Sequence, residues 1–259
     1  MIKPNIENVK VDIIVPNYNK GIYLDECLSS VINQTHKNWF LYLIDDCSKD
    51  NSLQVIEKYE NIQNISVIKL NKNKGPSFCR NLGIRLSNSN FVSFLDSDDA
   101  WVKNKLFDQV AFMVNKNFDF TYSDYTIIYD NKLNSKKLDT TNIVENLNYK
   151  EFILNTSINS STMILNRKLT KLVKFKKLPL LEDYLYKCEI LRKGHVARKI
   201  AQNLAFYRIN KNARSNNKLN NLFVLWNINK KFNKLSIIQN IKSCVYVAIN
   251  SFKKYGIKK

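Results

Sequence analysis

Several residue types that define common protein classes are scarce in this chain of 259 residues. Its five glycines and four prolines exclude a collagen-like or linker-rich chain, and its 44% of apolar residues argues against general disorder. With only two histidines, a histidine-based metal site is not expected. The five cysteines are scattered without a CxxC pair, as in a protein whose thiols stay reduced. The length suffices to bury one large core.

Acidic residues are missing from the end of the chain. Residues 190–259 hold 16 lysines and arginines and no aspartate or glutamate. The whole chain has 41 basic and 22 acidic residues and a net charge of +19, so the first 189 residues carry only +3. This distribution predicts a tail that meets an anionic partner, such as a membrane surface, phosphates or nucleic acid. A merely solvated helix face is the alternative.

Long apolar runs are also missing. None approaches the ~20 residues that a membrane-spanning helix needs. The first residues, MIKPNIENVKVD, lack the apolar centre of a signal peptide. We therefore expect a cytoplasmic protein, with the basic tail as the candidate for peripheral attachment to a membrane.

Apolar runs and helical patterns alternate through the first hundred residues. Continuous apolar runs predict strands at residues 11–16, 40–44, 65–70 and 91–95, and helical spacing predicts helices at 24–34, 51–59 and 75–86. This alternation is typical of a doubly wound α/β domain with a mostly parallel sheet. Later segments predict a mixed extension of the same sheet: a helix at 103–114, strands in 118–129, a polar loop at 131–148, a helix at 184–192, a strand at 205–209, and two basic amphipathic helices at 219–234 and 236–254.

Aspartates cluster where two predicted strands end. One cluster begins at Asp45 and Asp46, and the other contains Asp96, Asp98 and Asp99. Ligands bind outside the carboxyl ends of the strands in an open α/β sheet, so the two clusters should meet at one edge. Such a concentration of carboxylates suits Mg²⁺ or Mn²⁺, which bind one or two carboxylates together with substrate phosphates. Turns and helix caps are the alternative explanation for each cluster taken alone.

A positive counterpart lies in the segment KNKGPSFCR, residues 72–80. Gly75 provides a turn before the third predicted helix, and Arg80 falls within the first turns of that helix. A helix N-terminus beside an arginine is a candidate phosphate site.

These motifs carry a resemblance to a known family. VDIIVPNYN, IDDCSKDNS, NKGPSFCRN and FLDSDDAW occur in this order, and LEDY, FYR, KNARSNNK and KLSIIQNIKSCVYVAINSFKKY follow them. The set resembles the inverting family 2 glycosyltransferases of the GT-A fold, in particular bacterial members that build cell-surface polysaccharides, including teichuronic acid enzymes. The resemblance covers nearly the whole chain. It implies a GT-A catalytic domain at residues 1–215, with a donor half (1–100) and an acceptor half (101–215), followed by basic helices at 216–259.

The resemblance also implies roles for individual residues. The nucleotide-sugar donor, by default a UDP-sugar, would be bound by Pro16, Asn17, Tyr18, Asp46, Arg80, Asp96 and Ser97. Asp98 would be the main ligand of Mn²⁺ or Mg²⁺, with Asp96 contributing to the same metal site. Asp99 is expected to support the turn and to cap the next helix.

The family pattern makes Asp183 the general base. Its neighbour Glu182 has the same chemistry, and an ordinary helix cap is the alternative for both. Arg208, Lys211 and Arg214 are further candidates for contact with the diphosphate. However, Asn210 and Ala213 stand where related tails often carry a basic residue and a serine, which weakens that assignment.

The implied reaction is a single displacement with inversion at the anomeric carbon. The acceptor would be a glycan, or a glycan on a lipid diphosphate at the inner face of a bacterial cytoplasmic membrane. A nucleotidyltransferase is a competing interpretation, but it would carry a Gly- and Lys/Arg-rich loop where this chain has PNYNKG. A nucleic-acid-binding protein would use the basic tail, but we expect no nucleic-acid partner because its aromatic residues Phe223, Trp226, Phe232 and Tyr246 occupy apolar helix positions that predict core packing.

Overall fold

The first half of the chain forms a parallel sheet with helices in its connections. The computed structural model describes residues 5–129, 132–137, 146–209 and 217–255. The first strands are β1 (Val11–Asn17), β2 (Trp39–Asp45), β3 (Ile65–Lys69) and β4 (Phe91–Phe94). They pair in parallel in the order β3-β2-β1-β4. The connecting helices are α1 (Gly21–Ile32), α2 (Ser52–Glu57) and α3 (Pro76–Leu86).

Both faces of this sheet are covered, which explains why its strands have continuous apolar sequences. Successive residues of β1 point to opposite faces, so Ile13 packs in one apolar cluster and Ile14 in the other. Leu24 and Leu28 of α1 join the cluster of Ile13, and Cys79 of α3 joins the cluster of Ile14. The predicted doubly wound arrangement of this half is therefore confirmed.

The second half extends the same sheet with mixed pairing. Its strands are β5 (Ala100–Trp101), β6 (Phe120–Tyr129), β7 (Lys132–Lys137), β8 (Asn146–Leu147), β9 (Ile164–Asn166) and β10 (Ala197–Ile209). Its helices are α4 (Lys105–Lys116), α5 (Tyr149–Asn155), α6 (Arg167–Thr170) and α7 (Glu182–Arg192). The order continues from β4 as β9-β6-β10-β5, with β7 beside β6 and β8 beside β10. The long β10 runs parallel to β6, so a parallel pair recurs here among antiparallel neighbours.

Two local predictions of secondary structure differ from the structure. The polar segment 131–148 was expected to be a loop, but β7 and β8 lie in it. The sequence of β7, KLNSKK, lacks the apolar alternation that marks a strand. Pairing with β6 makes this segment a strand, and such pairing leaves no local signal in the sequence. The predicted strand 205–209 is only the end of β10, whose earlier part contains irregular pairing between Ile200 and Ala205 that hides its periodicity.

Two helices complete the described chain: α8 (Lys218–Lys231) and α9 (Ile237–Tyr255). They pack on each other and α9 packs on α5. The expectation that the tail aromatics form core is wrong for Phe223 and Tyr246, which are 66% and 52% exposed because they lie on outward helix faces. No helix among the described residues has both the length and the apolar character to cross a membrane.

Candidate active site

A cavity of about 1230 Å³ opens at the carboxyl ends of the parallel strands, where open α/β sheets bind ligands. Residues from both halves of the chain line it. The lining includes every residue assigned above to the donor, the metal or catalysis: Pro16, Asn17, Tyr18, Asp46, Arg80, Asp96, Ser97, Asp98 and Asp183. The structure thus brings these residues together, although they span more than 160 positions of sequence; their individual roles stay predictions.

The ends of β1 and β2 are joined by a buried polar network. Asn17 Nδ2 donates to Asp45 Oδ1 at 2.8 Å and to Ser48 Oγ at 3.2 Å, while Ser48 donates to Asp45 through both its hydroxyl and its backbone N–H. Both carboxylate oxygens of Asp45 therefore accept hydrogen bonds from within the protein. Asn17 Oδ1 is buried without a hydrogen-bond partner in the described structure. An unpaired buried acceptor costs about 1–3 kcal/mol.

Asp46 shapes the turn before α3. Its two oxygens accept hydrogen bonds from the backbone N–H groups of Lys74 and Gly75, each at 2.7 Å. Gly75 has φ of +86°, a left-handed conformation that favours glycine. Each carboxylate oxygen keeps a second lone pair, so Asp46 retains the capacity to accept a further hydrogen bond.

Arg80 links the donor half to the acceptor half. Its guanidinium contacts Asp96 Oδ1 at 2.7 Å and Glu182 Oε1 at 3.1 Å, and it lies 5.4 Å from the centre of the Phe175 ring. The side chain is only 6% exposed. Burial alone would lower the pKa of Arg80, but Asp96, Glu182 and Asp183 outweigh it and raise the pKa. Arg80 is therefore a fixed positive charge behind the aspartate cluster.

Asp98 forms an ion pair with a lysine that follows β1 in the chain. Its Oδ2 pairs with Lys20 Nζ at 2.6 Å, and the two side chains are 21% and 28% exposed. Lys20 immediately precedes α1, so this ion pair connects the second aspartate cluster to the loop after β1.

The predicted role of Asp99 as a helix cap is wrong. The strand β5 follows Asp99 directly, and α4 begins only after Asn104. Asp99 is instead buried, accepts from Ser161 Oγ at 2.5 Å and from the backbone N–H of Arg208 at 2.9 Å, and supports the turn through its N–H to Asp96. Burial, with Asp98 and Asp96 nearby, raises the pKa of Asp99 well above its usual value.

Arg208, which lies in β10, contacts the turn formed by residues 96–99, which we call the aspartate turn. Its Nε donates to the backbone oxygen of Asp98 at 2.9 Å, its Nη2 pairs with Glu26 at 2.5 Å, and its guanidinium lies 4.6 Å from the Tyr23 ring centre. The guanidinium is thus engaged within the protein, whereas the sequence suggested a contact with the diphosphate. The other two candidates of that kind, Lys211 and Arg214, lie outside the described residues.

Asp183 and Glu182 occupy the first turn of α7, and neither caps the helix. The residue before the helix is Leu181, which has φ of +59° and makes no side-chain cap. Glu182 is buried against Arg80. Asp183 Oδ2 accepts from Lys187 Nζ at 2.6 Å and from Ser160 Oγ at 3.1 Å. Its Oδ1 has no hydrogen-bond partner within the described structure, so one oxygen remains available to a ligand.

The charge state of Asp183 is set by its neighbours. Burial would raise its pKa, but Lys187 lowers it, and Arg80 and Ser160 add to this, so that the pKa falls to about 2. Lys187 itself is 3% exposed and also donates to the backbone oxygen of Ile158 at 2.6 Å. Asp183 is therefore an ionised carboxylate held in one orientation at neutral pH.

The aspartate turn suits a cation only in part. Among the described residues, no group of three or more His, Cys, Asp or Glu side chains is placed to hold a metal ion. Asp96 and Asp98 each keep one oxygen without a partner there, and both line the cavity. Because Mg²⁺ and Mn²⁺ bind one or two carboxylates with substrate phosphates, this pair fits a cation that is bound together with a diphosphate.

Sequence reasoning missed two lysines of this site. Lys187 lies four residues after Asp183, and the i,i+4 spacing on a helix was a signal that could have revealed the pair. Lys20 is separated from Asp98 by 78 positions and carries no comparable signal.

Comparison with known proteins agrees with this geometry. Residues 12–177 match the glycosyl transferase family 2 profile, and the chain belongs to this family. It is 31% identical over 263 residues to WfgD of Escherichia coli, a UDP-Glc:alpha-D-GlcNAc-diphosphoundecaprenol beta-1,3-glucosyltransferase, over 98% of this chain and 96% of WfgD. It is 29% identical over 245 residues to TuaG of Bacillus subtilis (strain 168), described as a teichuronic acid biosynthesis glycosyltransferase, over 94% and 96% of the two chains.

Solved structures share the fold. S. aureus TarS 1-349 in complex with UDP-GlcNAc superposes with a TM-score of 0.72 at 23% identity, over 94% of this chain and 73% of that one. The mannosyltransferase PcManGT from Pyrobaculum calidifontis, in complex with GDP-Man and Mn²⁺, gives a TM-score of 0.72 at 13% identity, over 95% and 73% of the two chains. At these identities the likeness shows the fold alone, and it confirms the predicted GT-A architecture.

Proposed function

We propose that this family 2 glycosyltransferase moves a sugar from a nucleoside-diphosphate sugar, with UDP-sugar as the expected donor, to a hydroxyl of a lipid-diphosphate-linked glycan. The product would belong to a bacterial cell-surface polysaccharide. The donor and acceptor classes follow those named for WfgD. The observation that carries the proposal is the convergence of Asp96, Asp98 and an ionised Asp183 on one cavity.

The donor half would bind the nucleotide and orient its diphosphate. The segment Pro16–Tyr18 forms the cavity wall after β1 and would contact the base. The fixed cation Arg80 keeps Asp96 in place and favours an anionic ligand nearby. Asp96 and Asp98 would hold Mn²⁺ or Mg²⁺, which when bound would neutralise charge on the departing nucleoside diphosphate.

Asp183 would act as the general base in a single displacement. The acceptor oxygen would form a bond to the anomeric carbon as the bond from that carbon to the diphosphate oxygen breaks. The acceptor proton would pass to Asp183 Oδ1, the oxygen that the described structure leaves open. Attack opposite the leaving group inverts the anomeric configuration, and one base suffices. A retaining hydrolase would instead need two opposed carboxyl groups.

Lys187 and Ser160 would position the base. Their hydrogen bonds to Oδ2 hold the carboxylate of Asp183 in one orientation, and this would fix the position of Oδ1 relative to the acceptor. Glu182 is a poorer base candidate, because its carboxylate is buried and paired with Arg80.

A panel of nucleotide sugars tests this proposal. The midpoint temperature of thermal unfolding should rise when one nucleotide sugar, or its nucleoside diphosphate, is added in the presence of Mn²⁺. The rise should be smaller without Mn²⁺. Transfer to a short-chain lipid-diphosphate sugar, followed by mass spectrometry, should then give a product larger by one sugar. A chain that binds no nucleoside diphosphate under these conditions would contradict the proposal.

A further inference from the structure

The last helix, α9, exposes large apolar side chains on its outer face, and it buries two polar residues beside Cys244 and Val247 on its packed face. Its packed face contains buried Asn240 and Ser243, and Ser243 Oγ donates to the backbone oxygen of Ile153 in α5 at 2.6 Å. Its outer face carries six large side chains that are between 45% and 72% exposed: Ile237, Ile238, Ile241, Val245, Tyr246 and Ile249. A surface helix normally presents polar residues to water and apolar residues to the core.

This outer face forms a continuous stripe. Positions 238, 241, 245 and 249 follow at steps of three and four residues, the spacing of one helix face. Contiguous exposed apolar surface of this kind marks an interaction site, whereas isolated exposed apolar residues are normal.

The positive charge around the stripe favours an anionic partner. Lys242 is exposed beside the stripe, and Lys230, Lys231 and Lys234 are exposed on α8 and the turn after it. No acidic residue occurs after Glu189, so nothing in this region would repel an anionic surface. An apolar face bordered by lysines is typical of a helix that lies in the interface of an anionic bilayer.

We propose that the outer face of α9 binds an anionic lipid bilayer, with α9 parallel to the membrane plane. The opposite side of the same helix lines the cavity through Val247 and Ser251. Binding through the outer face therefore holds the cavity beside the bilayer, where a lipid-linked acceptor would be located. This last consequence depends on the proposed function, but the lipid contact itself does not.

Co-sedimentation with vesicles tests the contact. The wild-type protein should bind phosphatidylcholine vesicles containing phosphatidylglycerol, and binding should weaken as salt increases. The triple variant Ile238→Ser, Ile241→Ser, Val245→Ser should bind at least about tenfold more weakly, since each apolar side chain contributes to insertion. Replacing Lys230, Lys231, Lys234 and Lys242 by Gln should weaken binding to anionic vesicles and reduce its salt dependence.

The control variant replaces exposed apolar residues elsewhere, Phe107→Ser with Leu172→Ser, and should bind like wild type. Absence of binding to anionic vesicles at low salt, or equal binding to pure phosphatidylcholine, would overturn the proposal. So would a wild-type dimer in analytical ultracentrifugation that the triple variant converts to a monomer, because the stripe would then belong to a second copy of the chain. Nucleotide binding measured on the same preparations shows separately whether the proposed function holds.

A second inference comes from the two cations at the aspartate turn. Arg80 is buried and held by two carboxylates and a ring, so it cannot leave Asp96. Lys20 is 28% exposed, and its ammonium has Asp98 as its sole partner among the described residues. Its flexible stem allows it to move within the cavity that both residues line.

We infer that Lys20 is a displaceable counter-ion that makes cation binding depend on the donor. With Lys20 on Asp98 and Arg80 on Asp96, both carboxylates are neutralised and attract a free cation weakly. A bound diphosphate supplies new negative charge in the same cavity and draws Lys20 away from Asp98. The carboxylate is then exposed to a cation only when the donor is present. This inference rests on the proposed function.

Calorimetric titration with Mn²⁺, with and without UDP, tests the role of Lys20. The wild type should bind Mn²⁺ weakly alone and more tightly with UDP. Lys20→Gln should bind Mn²⁺ alone at least about fivefold more tightly than wild type, and UDP should add less, since coupled sites typically differ by fivefold or more. Lys20→Arg keeps the ion pair and should resemble wild type. Lys49→Gln removes an exposed lysine near the same loop as a matched control.

The outcomes separate the two claims. If the wild type shows joint binding of Mn²⁺ and UDP but Lys20→Gln binds Mn²⁺ alone no better than wild type, the role of Lys20 is refuted and the proposed function stands. If the wild type binds neither ligand, both are refuted. Circular dichroism of each variant verifies that the comparison is made between folded proteins.

Discussion

The ion pair between Asp183 and Lys187 should contribute measurably to the stability of the fold as well as to the orientation of the Asp183 carboxylate. The pKa of Asp183 is about 2 against an ordinary value of 3.8. At about 1.4 kcal/mol for each tenfold change, its surroundings favour the folded, ionised state by about 2 kcal/mol. Asp183 is 30% exposed, and Arg80 and Ser160 share the effect, so we assign about 1–2 kcal/mol to Lys187 itself.

A double-mutant cycle measures this value. The free energy of unfolding in urea at pH 7 is compared for wild type, Lys187→Met, Asp183→Asn and the double variant. We expect a coupling energy of about 1–2 kcal/mol. The ion pair Lys176–Glu189 provides the control, because its N–O distance of 2.5 Å is similar but Lys176 is 45% exposed. Its coupling energy should be below about 0.5 kcal/mol.

The sign of the pH dependence follows from the direction of the shift. The folded pKa of Asp183 lies below the unfolded value, so its contribution is fully present above the unfolded pKa and is lost as pH falls toward about 2. The coupling should therefore be the same at pH 7 and pH 5 and should decrease in more acidic solution. A coupling below about 0.5 kcal/mol at pH 7, or one that grows on acidification, would refute the reasoning.

Three further variants test other parts of the account. Gly83→Ala should destabilise the protein by about 1–3 kcal/mol in urea unfolding, because the new Cβ would lie 2.6 Å from Ile14 in the core; no loss would contradict the packing of α3 on β1. Arg208→Met should weaken Mn²⁺-dependent binding of UDP about tenfold in calorimetry, because Arg208 holds the backbone of Asp98, and unchanged affinity would remove its positioning role. Burial lowers the pKa of Lys105 well below its usual value, so the unfolded chain binds more protons and stability should rise as the pH approaches the ordinary lysine pKa from below; Lys105→Met should flatten that rise in urea unfolding, and an equal rise in both proteins would contradict the lowered pKa.

The sequence allowed much of the donor half to be predicted, because its signals are local. Continuous apolar strands, helical spacing and aspartates at strand ends are readable within short windows, and they led to Asp46, Asp96 and Asp98 at one edge of the sheet. The base candidate Asp183 was found through the family resemblance, since its surrounding residues look like an ordinary helix start.

Contacts between distant segments could not be predicted in this way. Arg80 meets Glu182 across 102 positions, and Lys20 meets Asp98 across 78, so neither pair has a local pattern. Asp99 was misassigned because the short strand β5, which separates it from α4, is determined by pairing with β10. Periodicity revealed an apolar stripe on α9, but only packing against α5 decides which face of that helix meets the protein.

Sugar transfer by wild type and by Asp183→Asn, measured beside donor affinity in the same preparations, tests the central claim most directly. The account predicts that wild type releases UDP and extends a lipid-diphosphate sugar. The Asp183→Asn variant should bind UDP-sugar and Mn²⁺ within a fewfold of wild type and should lose at least about a hundredfold in transfer, the lower range for a general base. Transfer by this variant at the wild-type rate would contradict the assignment of Asp183, and loss of transfer only in Glu182→Gln would move the base to the neighbouring residue.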